Sequence, residues 1–340
     1  MSLIPPDHRE LAQSVVAFGG GHGLFASLSA LRHLVDELVV DELTAVVTVA
    51  DNGGSSGRLR GEFGVLPPGD LRMALAALCG NDEWGETWSK LLQHRFAGNG
   101  EMNGHVVGNL LIVGLWELMG DHVEALDYVG RLLGATGRVL PMALTPMDIT
   151  AQVRGLVPAD PDALTNVRGQ VEIATTDGVI DTIALVPADP PAAPAAIDAI
   201  AAADWLVLGP GSWFTSVIPH LMVPELRRAI VRADARVIVV LNLVDEEGET
   251  PGFGPADHLA ALASHAPDLV VHTVLVDSSG SPDELADLAH VVEASGANLA
   301  VHDVSEHPGS SCHDPRKLAR ALAAVMADRS VDQSLDQSHG

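Results

Sequence analysis

Ser14-Val-Val-Ala-Phe18 is a short β-branched and aromatic run, and it stops at Gly19-Gly20-Gly21-His22-Gly23-Leu24. Beyond it Leu24, Leu28, Leu31, Leu34, Val35 and Leu38 recur at helical intervals, and Leu43 to Ala50 is again apolar without helical period. A buried strand, a glycine loop, an amphipathic helix and a second strand within roughly 35 residues describe a βαβ unit, whose crossover is right-handed. Such a unit commits the chain to an α/β architecture, because a parallel strand pair needs helices to cover its faces.

The rest of the chain varies that rhythm. Pro68 to Leu133 reads as a helical layer, with apolar stripes through Leu71, Leu75 and Leu78, then Trp88, Leu91 and Leu92, then Val107, Leu111, Leu115 and Met119. Near 138–190 short alternating segments such as Ile149 to Val153 and Val171 to Ile173 alternate with Pro/Asp/Gly turns, which predicts a small antiparallel β insertion. Strands are predicted again at Trp205 to Leu208, Val237 to Leu241 and Leu269 to Val276. Helices follow at Pro224 to Arg232, Pro255 to Ala263, Pro282 to Ala294 and Pro315 to Ala327, several opening with the proline that suits a first turn. The expected organisation is one α/β domain over 1–330, with a frayed tail at 331–340. The fold class expected is a mainly parallel sheet with helices on both faces, a helical layer and a small antiparallel extension.

Charge narrows the partners. Forty-five acids against nineteen bases give a net charge of −26, so a role in nucleic-acid binding by phosphate neutralisation is not expected. Lys90 and Lys317 are the only lysines, which leaves arginine to meet any anionic ligand; Arg58, Arg60, Arg72 and Arg95 share one stretch. Two cysteines, Cys79 and Cys312, make neither a disulfide framework nor a zinc module, and His22, His94 and His105 lack metal-ligand spacing. No metal site is expected. The opening MSLIPPDHRE lacks the basic patch and apolar run of a signal peptide, and prolines and glycines interrupt the apolar run from Trp205 to Pro224. A cytoplasmic protein without an integral membrane segment is expected.

Several loops carry candidate chemistry. Gly21-His-Gly23-Leu-Phe-Ala26 fits G-x-G-x-x-A at a strand-to-helix junction, where free N–H groups and the helix dipole favour an anion. A tight turn without ligand is the plain alternative. Asp51 ends the second strand, as a ribose-binding acid would in a dinucleotide site. It is followed by a second loop, Asn52-Gly53-Gly54-Ser55-Ser56-Gly57-Arg58-Leu59-Arg60, with the hydroxyls and guanidinium groups to meet a phosphorylated polyol. Asp70 stands where an N-cap would precede the Leu71 helix, and His105 and Asn109 lie at the start of an apolar helix. Later, Gly209-Pro-Gly211-Ser212 leads from a strand into Thr215 and Ser216, and Asn242 ends the next strand ahead of Glu247 to Phe253. Polar, glycine-rich loops after at least four strands of one sheet are far more specific than any single loop, since ligands of open parallel sheets bind outside the strands' carboxyl ends.

The blocks GGGHGL at 19–24, TVADNGGSSGRLRGEFGVLPPGDLR at 48–72, GHVVGNLL at 104–111, LGPGSWFTSVIPHL at 208–221 and NLVDEEGETPGF at 242–253 resemble those of the YvcK-like family of gluconeogenesis factors. That family shares a superfamily with the 2-phospho-L-lactate transferases of coenzyme F420 synthesis. The resemblance spans about residues 15–255 and continues weakly to HDPRKLA at 313–319.

It implies a Rossmann-like sheet and a nucleotide-sugar ligand, notably UDP-N-acetylglucosamine. It also implies a regulatory role linking carbon metabolism to cell-envelope synthesis and cell shape, without established turnover or required cofactor. It leaves room for protein partners in envelope synthesis and for a homo-oligomer. The ligand-binding set it implies, with the loops above, is Gly20, Gly21, His22, Gly23, Leu24, Asp51, Asn52, Gly53, Gly54, Ser55, Ser56, Arg58, Arg60, Asp70, His105, Asn109, Gly209, Gly211, Ser212, Thr215, Ser216 and Asn242.

The transferase branch is the alternative, with Asp51 and Asp70 catalytic and magnesium bound. The full Asn-Gly-Gly-Ser-Ser-Gly-Arg loop, and His22 in place of the threonine usual in that branch, depart from it. An NAD-binding oxidoreductase is the second alternative, resting on G-x-G-x-x-A and Asp51.

Overall fold

The computed structural model describes residues 13–244 and 253–337. Its strands are β1 (Ser14–Gly19), β2 (Glu42–Val47), β3 (Arg138–Pro141), β4 (Asp148–Arg154), β5 (Thr165–Arg168), β6 (Val179–Val186), β7 (Trp205–Leu208), β8 (Arg236–Val240), β9 (Thr273–Asp277) and β10 (Asn298–His302). Seven of them form a parallel sheet in the order β10-β9-β8-β7-β1-β2-β3, and the other three a sheet in the order β5-β4-β6. β1 and β7, both buried apolar strands, lie side by side at the centre with Val16 opposite Leu206.

The chain builds outward from β1 through β2 to β3, then returns to place β7 on β1's other side. Right-handed crossovers in opposite directions put helices on opposite faces. One face carries α1 (Gly21–Asp36), and packed on it α3 (Gly69–Leu78) and α13 (Pro315–Gln337). Outside α3 lies the layer of α4 (Glu83–Gln93), α5 (Val107–Met119) and α6 (His122–Leu133), and α2 (Gly54–Phe63) contacts α5. The other face carries α8 (Pro194–Ala201), α9 (Ile218–Met222), α10 (Pro224–Arg232), α11 (Pro255–His265) and α12 (Pro282–Ser295). A single π-type turn, Trp213–Val217, precedes α9, and α7 (Gln170–Ala174) belongs to the antiparallel lobe.

The α/β class, the parallel sheet, the helical layer and the antiparallel extension agree with the sequence reading. Differences lie at particular segments. Arg138–Pro141 is an edge strand of the main sheet, parallel to β2, so the antiparallel lobe begins only at Asp148. β10 escapes the sequence because an edge strand needs no continuous apolar run; Asn298 and Val301 are exposed. In α5 the buried residues are Gly108, Asn109, Ile112, Val113 and Trp116, a stripe rotated from the predicted one, because leucines and valines occur all round this helix and hide its phase. α13 continues to Gln337, past the point where a frayed tail was expected. Leu318, Leu322 and Met326 anchor it, and an anchored helix elongates at one hydrogen bond per residue unless glycine or proline stops it.

Candidate functional site

The carboxyl ends of β1 and β7 meet where the winding direction reverses, the position at which open α/β sheets form a ligand crevice. β1 ends at Gly19, Gly20 is the extended N-cap of α1, and Gly21 enters the helix at φ +56°, in the left-handed region that favours glycine. α1 has no side-chain cap and no acid of its own in its first turn; the acid at this helix end is Asp70, from α3. His22 is exposed beside this turn. Leu24, in contrast, is a core residue at 1% exposure, and its N–H bonds the Gly20 carbonyl at 3.2 Å. Its side chain packs beneath the loop.

The second loop abuts the first. A Cβ on Gly23 would stand 2.2 Å from the Pro210 carbonyl oxygen and 2.6 Å from Gly211 Cα, so only glycine allows the two loops to touch. The Ser27 hydroxyl donates to the Gly209 carbonyl at 2.8 Å from the same side. Asn242, at the end of β8, accepts from the Gly211 N–H at 2.8 Å and donates to its carbonyl at 3.1 Å. Ser212 and Thr215 pair through their hydroxyls, and Thr215 and Ser216 are buried. The Glu247 to Gly252 part of the next loop lies outside the described residues.

Beside β1, the end of β2 contributes a carboxylate pair. Asp51 accepts from the Gly53 N–H at 2.8 Å and from Ser56, whose hydroxyl also accepts from the Gly69 N–H at 3.0 Å. Asp70 is not the N-cap of α3, which is Pro68; it sits inside the first turn, buried, and accepts from the Gly21 N–H. The Gly21 N–H at the start of α1 is therefore engaged by Asp70. A Cβ on Gly20 would come within 2.5 Å of Thr48 Cγ2 and 2.6 Å of Asp70 Oδ2, so Thr48 and Asp70 crowd the first loop. Burial and the Asp51 charge push the Asp70 carboxyl up to about 7, against the Gly21 N–H and Arg72. Burial likewise raises Asp51. Asp70 Oδ2 and Thr48 Oγ1 are buried without a hydrogen-bond partner.

The segment read as a continuation of the loop, 54–60, is the start of α2. The small residues of Gly53-Gly54-Ser55-Ser56-Gly57 let the helix enter against its neighbours: a Cβ at Gly57 would meet the Asn52 carbonyl oxygen at 2.0 Å. Ser55 faces inward, 3.2 Å from His105 Nδ1, and accepts from the Val106 N–H and the Asn109 amide, each at 3.2 Å. Arg72 extends this network, donating to Asn109 at 3.0 Å and Gln93 at 3.2 Å. His105 and Asn109 thus tie α2 to α5.

The predicted phosphate-binding arginines are also engaged. Arg58 donates to the carbonyls of Glu101 and Asn103, and Arg60 pairs with Asp148 at 2.6 Å, a carboxylate it shares with Arg168. Asn52 reaches the antiparallel lobe, accepting from the Val171 N–H at 3.1 Å and donating to Glu172 at 2.8 Å. Sequence reasoning set Arg72 only among the arginines open to an anionic ligand and gave Thr48 no role. Arg72 is the one base of α3, beside Asp70; Thr48 carried no signal.

The model of the 2-phospho-L-lactate transferase CofD family matches residues 15–312. The chain belongs to that family. Within it, a Mycobacterium tuberculosis (strain H37Rv) protein bearing the gluconeogenesis-factor name is 51% identical over 93% of this chain and 91% of its own length. The gluconeogenesis factor of Bacillus subtilis (strain 168) is 36% identical over 80% of each chain. A crystal structure of a UPF0052-family protein from Bacillus halodurans superposes with a TM-score of 0.80 at 32% identity, covering 92% of this chain and 99% of that one. These relatives agree with the family placed by the motif blocks. Among the described residues, no helix is long and apolar enough to cross a membrane.

Proposed function

We propose that this CofD-family protein binds a UDP-sugar, UDP-N-acetylglucosamine above all, as a regulator linking carbon metabolism to envelope synthesis and cell shape. The observation that carries the binding reading is the apposition of Gly23 to Pro210–Gly211. It joins two glycine loops, at the ends of adjacent central strands, into one cradle of backbone dipoles suited to a diphosphate. The preference for uridine is carried over from the resemblance of the motif blocks at 19–24, 48–72 and 208–221 to the YvcK-like family. Calorimetry of the full chain with UDP-N-acetylglucosamine, UDP-glucose, GDP and NAD is expected to rank the uridine ligands first. Tighter binding of GDP or NAD would overturn it.

A second reading, phosphoryl-linked transfer as in the enzymes that name the family, is favoured by the Asp51–Asp70 pair. No group of three or more His, Cys, Asp or Glu side chains gathers to hold a metal among the described residues. Two carboxylates, one with a free buried oxygen, nonetheless fit magnesium, which takes few protein ligands and completes its shell with water and substrate phosphates. Magnesium there would supply charge stabilisation to a phosphate oxygen. Incubation with magnesium, a deazaflavin alcohol and a guanylyl-lactyl phosphate donor, read by mass spectrometry, separates the readings. Multiple turnovers lost in Asp51→Ala and Asp70→Ala would promote the transferase.

A further inference from the structure

A helix that is apolar all round is normally a buried helix, because one that faces water carries polar residues on its outer side. α5 departs from this within the single chain. Its outward side is Val107, Leu110, Leu111 and Leu115, each half-buried, and Leu118, at 81% the most exposed large apolar side chain among the described residues. Val107, Leu111 and Leu115 belong to the apolar stripe read from the sequence, so the periodicity that marks a core points here to solvent. Glu117 is the only charged residue in the 13 of α5. The two helices packed against it expose further apolar side chains, Leu91 from α4 and Tyr128 and Leu132 from α6.

The charges at the edge of this face suit a second copy of the same chain. The last turn of α4 packs on the first turn of α5: a Cβ on Gly108 would meet Leu92 Cδ2 at 2.8 Å, and the Val107 N–H donates to the His94 carbonyl at 3.0 Å. Lys90, an exposed residue near that contact, therefore stands beside the first half of α5, and Glu117 stands in its second half. Lys90 is held within its own chain only by an exposed pair with Glu86 at 3.4 Å, which is weak. An isologous contact sets each half of a face against the other half of its copy. Where two α5 helices cross antiparallel near their midpoints, Leu110 and Leu111 meet the partner's Leu115 and the partner's Leu118, and Lys90 meets the partner's Glu117. A chain of net charge −26 repels its copy, and a face with one acid on its central helix keeps that repulsion low. Stable dimers bury about 800 Å² on each partner. Three helices about 16–20 Å long, packed roughly 9 Å apart, present a face of that order.

We propose that the α4–α6 layer is a homodimer interface, with two copies of α5 crossing antiparallel at its centre. Asn109, on the buried side of the same helix, bonds Ser55 and Arg72, so the interface backs onto the network that ties α2 to α5.

Sedimentation equilibrium of the full chain across a concentration series tests it. Wild type should reach twice the chain mass. Leu118→Asp should weaken the dimer at least about tenfold, because it sets a carboxylate in an apolar contact. Its far-ultraviolet circular dichroism should match wild type, since Leu118 is 81% exposed in the single chain. Glu117→Lys and Lys90→Glu should each weaken dimerisation about threefold, and the two together should restore it, as a symmetric pairing of these charges requires. Wild type that stays monomeric would overturn the second copy and leave the face to a different protein. A dimer indifferent to Leu118→Asp, or a double variant no tighter than the single ones, would overturn the antiparallel α5 contact.

Discussion

Asn242 closes a two-hydrogen-bond ring with the peptide of Gly211, using its carboxamide as a strand would use a neighbouring backbone. The side chain at the end of β8 thereby sets the conformation of the loop after β7. Asn242→Asp keeps the acceptor but sets a carboxylate against the Gly211 carbonyl. It should weaken UDP-N-acetylglucosamine binding by about 1–2 kcal/mol, the usual cost of leaving a partly buried group unpaired. Titration of the variant at fixed salt checks this; unchanged affinity would mean that the loop holds its shape without the ring.

Gly23→Ala inserts a methyl where 2.2 Å separates the new carbon from the Pro210 oxygen. The loops must part, at a cost of roughly 1–3 kcal/mol in stability for overpacking. Nucleotide affinity should fall at least tenfold, because both halves of the cradle move. Gly114→Ala is the control, since a Cβ there meets nothing within 4 Å. A Gly23→Ala protein that melts and binds like wild type would show that the close approach of the loops does not shape the site.

Asp70 is raised to about 7 by burial and by Asp51, so near pH 8 the folded protein holds a penalised carboxylate. A raised acid binds more protons folded than unfolded between its two pKa values, so its penalty fades as pH drops from the folded to the unfolded value. Asp70→Asn should therefore stabilise the apo protein at pH 8 by about 1–3 kcal/mol, since each tenfold change in proton affinity is worth roughly 1.4 kcal/mol and relaxation around the charge takes back a part. The gain should vanish near pH 4. Denaturant midpoints at the two pH values decide, and an Asn variant less stable at pH 8 would contradict the assigned strain.

His220 is fully buried, with Nε2 3.0 Å from the Val46 carbonyl and Nδ1 3.3 Å from that of Val217, and burial lowers it to about 4. A histidine held neutral contributes stability present above its unfolded pKa and lost as pH falls toward the folded value. Between pH 6.5 and 4 wild type should lose about 2 kcal/mol more than His220→Gln, which cannot titrate in that range. Parallel stability–pH curves for the two proteins would show that His220 does not carry the effect.

Asn52 is the polar tie between the Asp51 loop and the antiparallel lobe. Asn52→Ala should speed hydrogen exchange at Val171 and along α7 by about tenfold, as the loss of roughly 1.4 kcal/mol of local stability would. The β1–β2 amides should be unaffected. Uniform acceleration across the chain would instead point to global destabilisation.

The βαβ start, the parallel sheet and the presence of glycine loops after its strands were legible in the sequence, because they rest on local rules. A buried strand must be apolar, a helix shows its period, and a close turn calls for glycine. Asp51 could be named for the same reason, whereas local rules read Asp70 as the cap that Pro68 provides. What the linear pattern could not carry was which groups face each other. Arg58 and Arg60 looked free for phosphate until the fold brought Arg60 to Asp148, 88 residues away, and Arg58 to the carbonyls of Glu101 and Asn103. The order in which strands join the sheet made Arg138–Pro141 an edge of the main sheet, and packing against α5 turned a glycine-rich loop into a helix. Residue type and spacing follow from short-range sterics and hydrogen bonding, which each segment encodes for itself. Pairing of distant polar groups depends on where tertiary packing buries them, and only the folded chain decides that.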